Sequence, residues 1–156
     1  MSDKFEFVGV GDQPALLAFS TPDWLDALRT ATQELGYLVH TAATHSDFLM
    51  RFSQVRYPLV VLEECFAANT LQENLSLRSL QGMPMAQRRH ATIVLLGNSF
   101  QTFTPMQAFQ QSVHAVINCS ELFMIKQLIE KAVSDKTRFL HSLEEAQGRV
   151  HAGGNR

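Results

Sequence analysis

The residues whose types could do chemistry stand directly after apolar runs. Glu63 and Glu64 follow Leu59–Leu62, Ser20 follows Ala15–Phe19, Gly97 and Asn98 follow Ala91–Leu96, and Asn118 and Cys119 follow Ala115–Ile117. In an α/β domain, functional groups collect where strands reach their carboxyl edge. Two carboxylates there could hold a hard cation, with Ser20, Asp23 and Asn98 adding oxygens. Consecutive strand residues point to opposite faces, however, so Glu63 and Glu64 do not converge. No metal and no cofactor is expected.

Other chemistries find no support. Cys65 and Cys119 show neither a CxxC nor a Cys/His ligand spacing, which argues against structural zinc. On strands three and five they would stand two strand spacings apart, roughly 9–10 Å. A disulfide needs Cα atoms within about 7 Å, so none is expected. Both cysteines are expected as buried structural thiols; the alternative is a reactive Cys119, which precedes a helix start that would favour its thiolate. The six histidines lack ligand-spaced partners, and Gly9-Val10-Gly11 precedes the first strand where a phosphate loop would follow it. A net charge of −2 gives no drive toward nucleic acid or an anionic membrane surface. The one basic cluster, Arg88-Arg89-His90, reads as a solvated loop, with a phosphate or partner contact as its alternative. No apolar run approaches the ~20 residues that cross a bilayer, and the first residues lack a signal-peptide core. A cytoplasmic protein with reduced thiols is expected.

The elements that position these residues alternate. Strands are expected at 15–19, 37–42, 59–63, 91–96 and 115–118, each a short apolar run. Between them lie helical periodicities with start and stop signals. Thr21-Pro22-Asp23 opens the first helix and Gly36 closes it; Thr44 and Asp47 resemble a capping box. Asn69 or Thr70 is placed to cap a helix through Leu80, Thr104-Pro105 opens another, and Ser120 caps the last, which meets no breaker before Gly148. Five alternations of apolar strand and helix mean a parallel sheet covered on both faces. The expected fold is α/β: a doubly wound five-stranded parallel sheet of flavodoxin-like order 2-1-3-4-5 with an extended C-terminal helix. The expected organisation is an N-terminal arm at 1–13, a domain at 14–133, a helix extension at 134–147 and a disordered tail at 148–156.

Leu16–Phe19 before Thr21-Pro22, Leu35-Gly36-Tyr37 at a helix-to-strand turn, Tyr57–Leu62 before the acids, and the last two βα units resemble a receiver domain of bacterial response regulators. The resemblance implies a phosphorylated aspartate after strand three, two acids after strand one that help hold Mg²⁺, a hydroxyl after strand four and a lysine after strand five. Those positions fall here on Glu63 (with Glu64 beside it), on Phe19 and Ser20, on Gly97 or Asn98, and on Asn118. None keeps the expected type, and one extra methylene displaces the Glu63 carboxylate by over ~1 Å. The resemblance thus implies a degenerate phosphoacceptor edge, with no catalytic residue. Glu63 as a fixed imitation of a phosphorylated aspartate is the functional alternative. Asn74, Met83-Pro84-Met85, Arg88-Arg89, Leu95-Leu96-Gly97 and Gln107-Ala108-Phe109 also resemble the receiver-like domain of some bacterial zinc-ribbon proteins, without the ribbon.

The last helix is longer than a five-stranded sheet requires. From Glu121 to about Gln147 it would run ~40 Å. Leu122, Ile129, Lys136, Leu143 and Val150 repeat every seven residues, as do Ile125, Ala132, Phe139 and Ala146. Its first half must face the sheet. Phe139, Leu140 and Leu143 need another surface: their own domain, a second copy or another protein. Phe100, Phe103, Met106 and Phe109 lie on the side that receivers use for partner contacts. Phe100 and Phe103 are expected to form an exposed or lid-like patch, and core packing to account for Phe109 and Met106, with Phe100, Phe103 and Met106 as interface candidates. The expected function is a non-catalytic, phosphorylation-independent signalling module that forms a homodimer or meets an unidentified signalling protein. The alternative is a small-ligand or nucleotide binder at the strands' carboxyl edge.

Overall fold

Five short apolar runs pair side by side because neither of their faces can be left in water. The structure is a computed structural model describing the backbone of residues 8–154 and the side chains of 8–138, 141–142 and 145–146. Residues 1–7 of the expected arm, and the side chains of Phe139, Leu140 and Leu143, lie outside the described residues. Strands β1 (Pro14–Ala18), β2 (Leu38–Ala42), β3 (Leu59–Glu63), β4 (Thr92–Gly97) and β5 (Ala115–Asn118) form one parallel sheet in the order β2-β1-β3-β4-β5. The fold is therefore the doubly wound one read from the sequence. The helices are α1 (Pro22–Glu34), α2 (His45–Gln54), α3 (Leu75–Gly82), α4 (Met85–Arg88), α5 (Pro105–Gln111) and α6 (Ile125–Gly154).

Strand alternation sorts the core into two layers. Leu16, Val60, Leu62, Ile93 and Leu95 meet Phe48 and Phe52 of α2 and Leu77 and Leu80 of α3. Leu17, Leu59, Val61, Val94 and Leu96 meet Leu28 and Ala31 of α1 and Leu128 and Ile129 of α6. Every residue of β1, β3 and β4 is buried, so the strand ends carry whatever polar chemistry the sheet has. No helix among the described residues is long and apolar enough to cross a membrane.

Helix ends follow the sequence signals in place but not always in chemistry. Thr44 accepts from the Asp47 amide at 3.0 Å, as a cap should, while the Asp47 carboxylate turns to Arg51. The continuous helix expected through Leu80 is broken. Thr70 caps a 3-10 turn at Leu71–Glu73, and Asn74 restarts the chain by capping α3 through the Leu77 amide. Ser120 does not cap the last helix: Asn118 accepts from the Ser120 amide and starts a 3-10 turn at Cys119–Met124, ahead of α6. α6 runs from Ile125 to Gly154 over 30 residues, ~45 Å of helix. A glycine inside a helix costs only about 1 kcal/mol, and no proline follows Gly148 to stop it.

Gly36 ends α1 at φ +95°, with its amide on Gln33 O and the Tyr37 amide on Thr32 O, both 3.0 Å. These two bonds form the Schellman pattern, and they require a left-handed residue at that point. Gly36→Val should destabilise the fold by roughly 1–2 kcal/mol, the penalty for a side chain in that conformation. Urea denaturation checks this, and an unchanged midpoint would contradict it.

Candidate functional site

The carboxyl edge of the sheet brings together every strand-end residue singled out by the sequence, and it wires them to backbone. Glu63 is 6% exposed at the end of β3, beside β1. Its Oε1 accepts from the amides of Ser20 at 2.7 Å and Thr21 at 3.0 Å, and its Oε2 accepts from Thr21 Oγ1 at 2.8 Å. Thr21 is the N-cap residue of α1, but its hydroxyl donates outward and does not cap its own helix. From the neighbouring strand, Glu63 instead takes the amide of this N-cap residue and the one before it, placing its carboxylate near the positive end of α1. Three donors on a buried carboxylate satisfy a group that would be costly if left alone.

Glu64 points the other way, as the alternation requires. Its Oε1 accepts from the Ser99 amide at 3.2 Å. The side chain lies across Gly97, where an added Cβ would sit 2.1 Å from Glu64 Oε1 and 2.5 Å from Glu64 Cβ. Gly97 is therefore the space that Glu64 fills, not a lost hydroxyl alone. Asn118 donates from Nδ2 to Phe100 O at 2.7 Å and Asn98 O at 3.3 Å. Ser20 Oγ accepts from the Ala67 amide at 2.7 Å. Phe19 is buried against the α1 and α6 layer.

Asn74 is the residue that strand-end reasoning missed. Its Nδ2 bonds both Glu63 O at 3.0 Å and Glu64 O at 3.1 Å, while its Oδ1 caps α3. An Asn directly before the apolar helical run Leu75, Leu77 and Leu80 was the available signal. His45 and Ser76 were also missed: the imidazole Nδ1 lies 2.8 Å from Ser76 Oγ and accepts from the Ser76 amide at 3.1 Å, pinning α2 to α3.

The donor set does not fit the Mg²⁺ that the fold implies. Phe19 offers no oxygen, Ser20 Oγ is engaged, and Glu63 already has three donors. Among the described residues, no three His, Cys, Asp or Glu side chains stand together to hold a metal ion. Nor are the thiols activated. Cys65 and Cys119 are free, and burial pushes both pKa values up, with Glu64 and Glu63 adding to the rise. The alternative of a reactive Cys119 thiolate is thus disfavoured by burial and then by its acidic neighbours.

The aromatic patch is rearranged. Phe100 is 6% exposed and belongs to the core with Leu95 and Ala108, because Asn118 holds its carbonyl inward. Phe103 is half-buried against the other layer, under Lys131 Nζ at 5.1 Å from the ring centroid. The exposed large apolar residues of this segment are Met106 and Phe109, at 63% and 80%. α5 buries Ala108, and the next residue is turned by about 100° toward solvent.

The fold is that of response-regulator receiver domains. A receiver domain from Methanospirillum hungatei JF-1 superposes with a TM-score of 0.62 at 12% identity, covering 82% of this chain and 98% of its own. The receiver domain of a sensor histidine kinase from Pseudomonas aeruginosa PAO1, with magnesium in its active-site cleft, gives 0.59 at 13%, covering 80% and 99%. A Burkholderia pseudomallei response regulator with a phosphorylated aspartic acid, calcium and citrate gives 0.59 at 16%, covering 92% and 86%. No family model and no curated protein sequence matches the chain.

Glu63→Asp would restore the acid type of a receiver but withdraw the carboxylate by about one C–C bond length, ~1.5 Å. It should lower stability by about 1–3 kcal/mol through lost charge-assisted bonds to Ser20 and Thr21. A wild-type urea midpoint for this variant would refute the capping role.

Proposed function

We propose that the chain is a phosphorylation-independent receiver-like module that acts in the cytoplasm by protein–protein contact and not by catalysis. The observation that carries this reading is the engagement of Glu63, whose two carboxylate oxygens take three donors at the start of α1. A phosphoacceptor needs an oxygen free to attack and cations to receive the charge. Phe19 and Asn118 at the neighbouring strand ends supply no charged group. Glu63 as an imitation of a phosphorylated aspartate is less favoured, because its carboxylate reaches toward β1 and α1 and not toward Asn98 or Asn118.

For a contact surface, Met85, Met106 and Phe109 are all more than half exposed. Large apolar side chains left in water are what a partner covers. The length of α6 beyond the sheet supports the same reading, with a second copy of this chain as the partner. The free cysteines fit a reducing compartment.

Acetyl phosphate with Mg²⁺ should leave the intact mass unchanged; an adduct of about 80 Da, the mass of a phosphoryl group, would overturn phosphorylation independence. Sedimentation of the full chain should show a dimer that Phe109→Glu converts to monomer with unaltered thermal stability. A wild-type chain that stays monomeric at high concentration would end the pairing proposal.

A further inference from the structure

The basic pair Arg88-Arg89 is a solvated loop only in part, since Arg88 is buried and Arg89 exposed, and the strand-end reading does not use it. Arg88 is buried, and its guanidinium donates to Leu80 O near the end of α3 and to Ser112 O at the end of α5. Lys136 of α6 donates from Nζ to Arg89 O at 2.9 Å. Burial lowers the pKa of both Arg88 and Lys136. Neither pairs with a carboxylate among the described residues, and the exposed Arg89 guanidinium has no partner there either. Three cations thus share one corner of the molecule without an acid to answer them.

That corner is concave. A pocket of ≈ 310 Å³ opens beside the amino end of β5, with Met85, Phe103, Ala115 and Ala132 as its apolar wall. Arg89, His114 and Lys136 supply the polar part. An adjoining hollow shares Met85, Arg89 and His114 and reaches Arg88. The one acid on the pocket, Asp135, is already held by Lys131 at 2.7 Å and Arg138 at 3.4 Å. His114 Nδ1 accepts from the Ile93 amide at 2.9 Å, so the ring proton sits on Nε2. Its pKa is pushed down to about 4 by burial, then by Lys136 and Arg88, which keeps the imidazole neutral at neutral pH. Nε2–H is then a donor without a partner among the described residues.

We propose that this pocket binds a small organic anion, an apolar body of about one ring carrying a carboxylate or phosphate. The body would rest on Met85, Phe103, Ala115 and Ala132. The head would meet Arg89 and Lys136, with His114 Nε2–H as a third donor. The volume lies at the small end of ligand pockets, and an apolar wall with a few polar groups is their usual make-up. A bound anion supplies the charge that the corner lacks. The pocket is separate from the Glu63 cap, so it stands whatever becomes of the phosphorylation-independent reading.

The test is an amide chemical-shift titration of the full chain with benzoate, phenyl phosphate, inorganic phosphate and benzyl alcohol. Benzoate or phenyl phosphate should shift Arg89, His114, Ala115 and Lys136 saturably, and the tighter of the two identifies the head group. Benzyl alcohol and inorganic phosphate should each bind at least about tenfold more weakly, a difference of about 1.4 kcal/mol. Arg89→Glu, at an exposed position, should weaken the anion by a similar factor while leaving the rest of the spectrum in place. Three results would overturn the proposal: no saturable shift with either aromatic anion, equal binding of benzyl alcohol or inorganic phosphate, or unaltered affinity in Arg89→Glu.

Discussion

A carboxylate removed from water must find donors, and Glu63 finds three of them in Ser20 and Thr21, the turn that leads into α1. Much of the carboxyl edge depends on that fact. The β1–α1 turn is held against β3 by the amides of Ser20 and Thr21. The Ser20 hydroxyl then receives the Ala67 amide and orders the loop after β3. Asn74 gathers the carbonyls of Glu63 and Glu64 and begins α3, so the same strand end fixes two helices. Glu64 crosses Gly97 to reach Ser99, and Asn118 fastens the following loop through Phe100. The groups that could have met a ligand are spent on the protein's own backbone.

The opposite corner follows the complementary rule. Where the edge sets Glu63 against amides at the start of α1, Arg88 sets a guanidinium against carbonyls near the ends of α3 and α5. Each charge suits the sign of the helix end it touches. The outcome differs because Glu63 is engaged at both carboxylate oxygens, whereas the Arg89 guanidinium keeps its own capacity. Saturation makes one place structural, and incomplete saturation beside an apolar hollow leaves the other able to bind.

The strands, their order and the two-layer core were legible because burial on both faces forces apolar runs with helical periods between them. The strand-end residues were also legible as a set, since position after an apolar run places a residue at the edge whatever its chemistry. What each side chain does there was not. Thr21 looked like a self-capping residue and instead donates to a strand 42 residues away. Phe100 and Phe109 exchanged expected environments, because one inward-held carbonyl and one helical step of rotation decide exposure, and neither leaves a mark in composition. Arg88 and Arg89 looked equally solvated, yet only the packing of α3 and α5 buries the first.

The sequence by itself determined the parallel sheet, the crossover helices and the residue types that stand at the strand ends. Those follow from local patterns and residue identity, which tertiary contacts cannot alter. Only the tertiary structure decided that the remaining acid became a helix cap and that two arginines at one turn took different roles. The donors for Glu63 and the acceptors for Arg88 come from segments distant in sequence. A charged group's role is set by the partners that folding brings within hydrogen-bond distance.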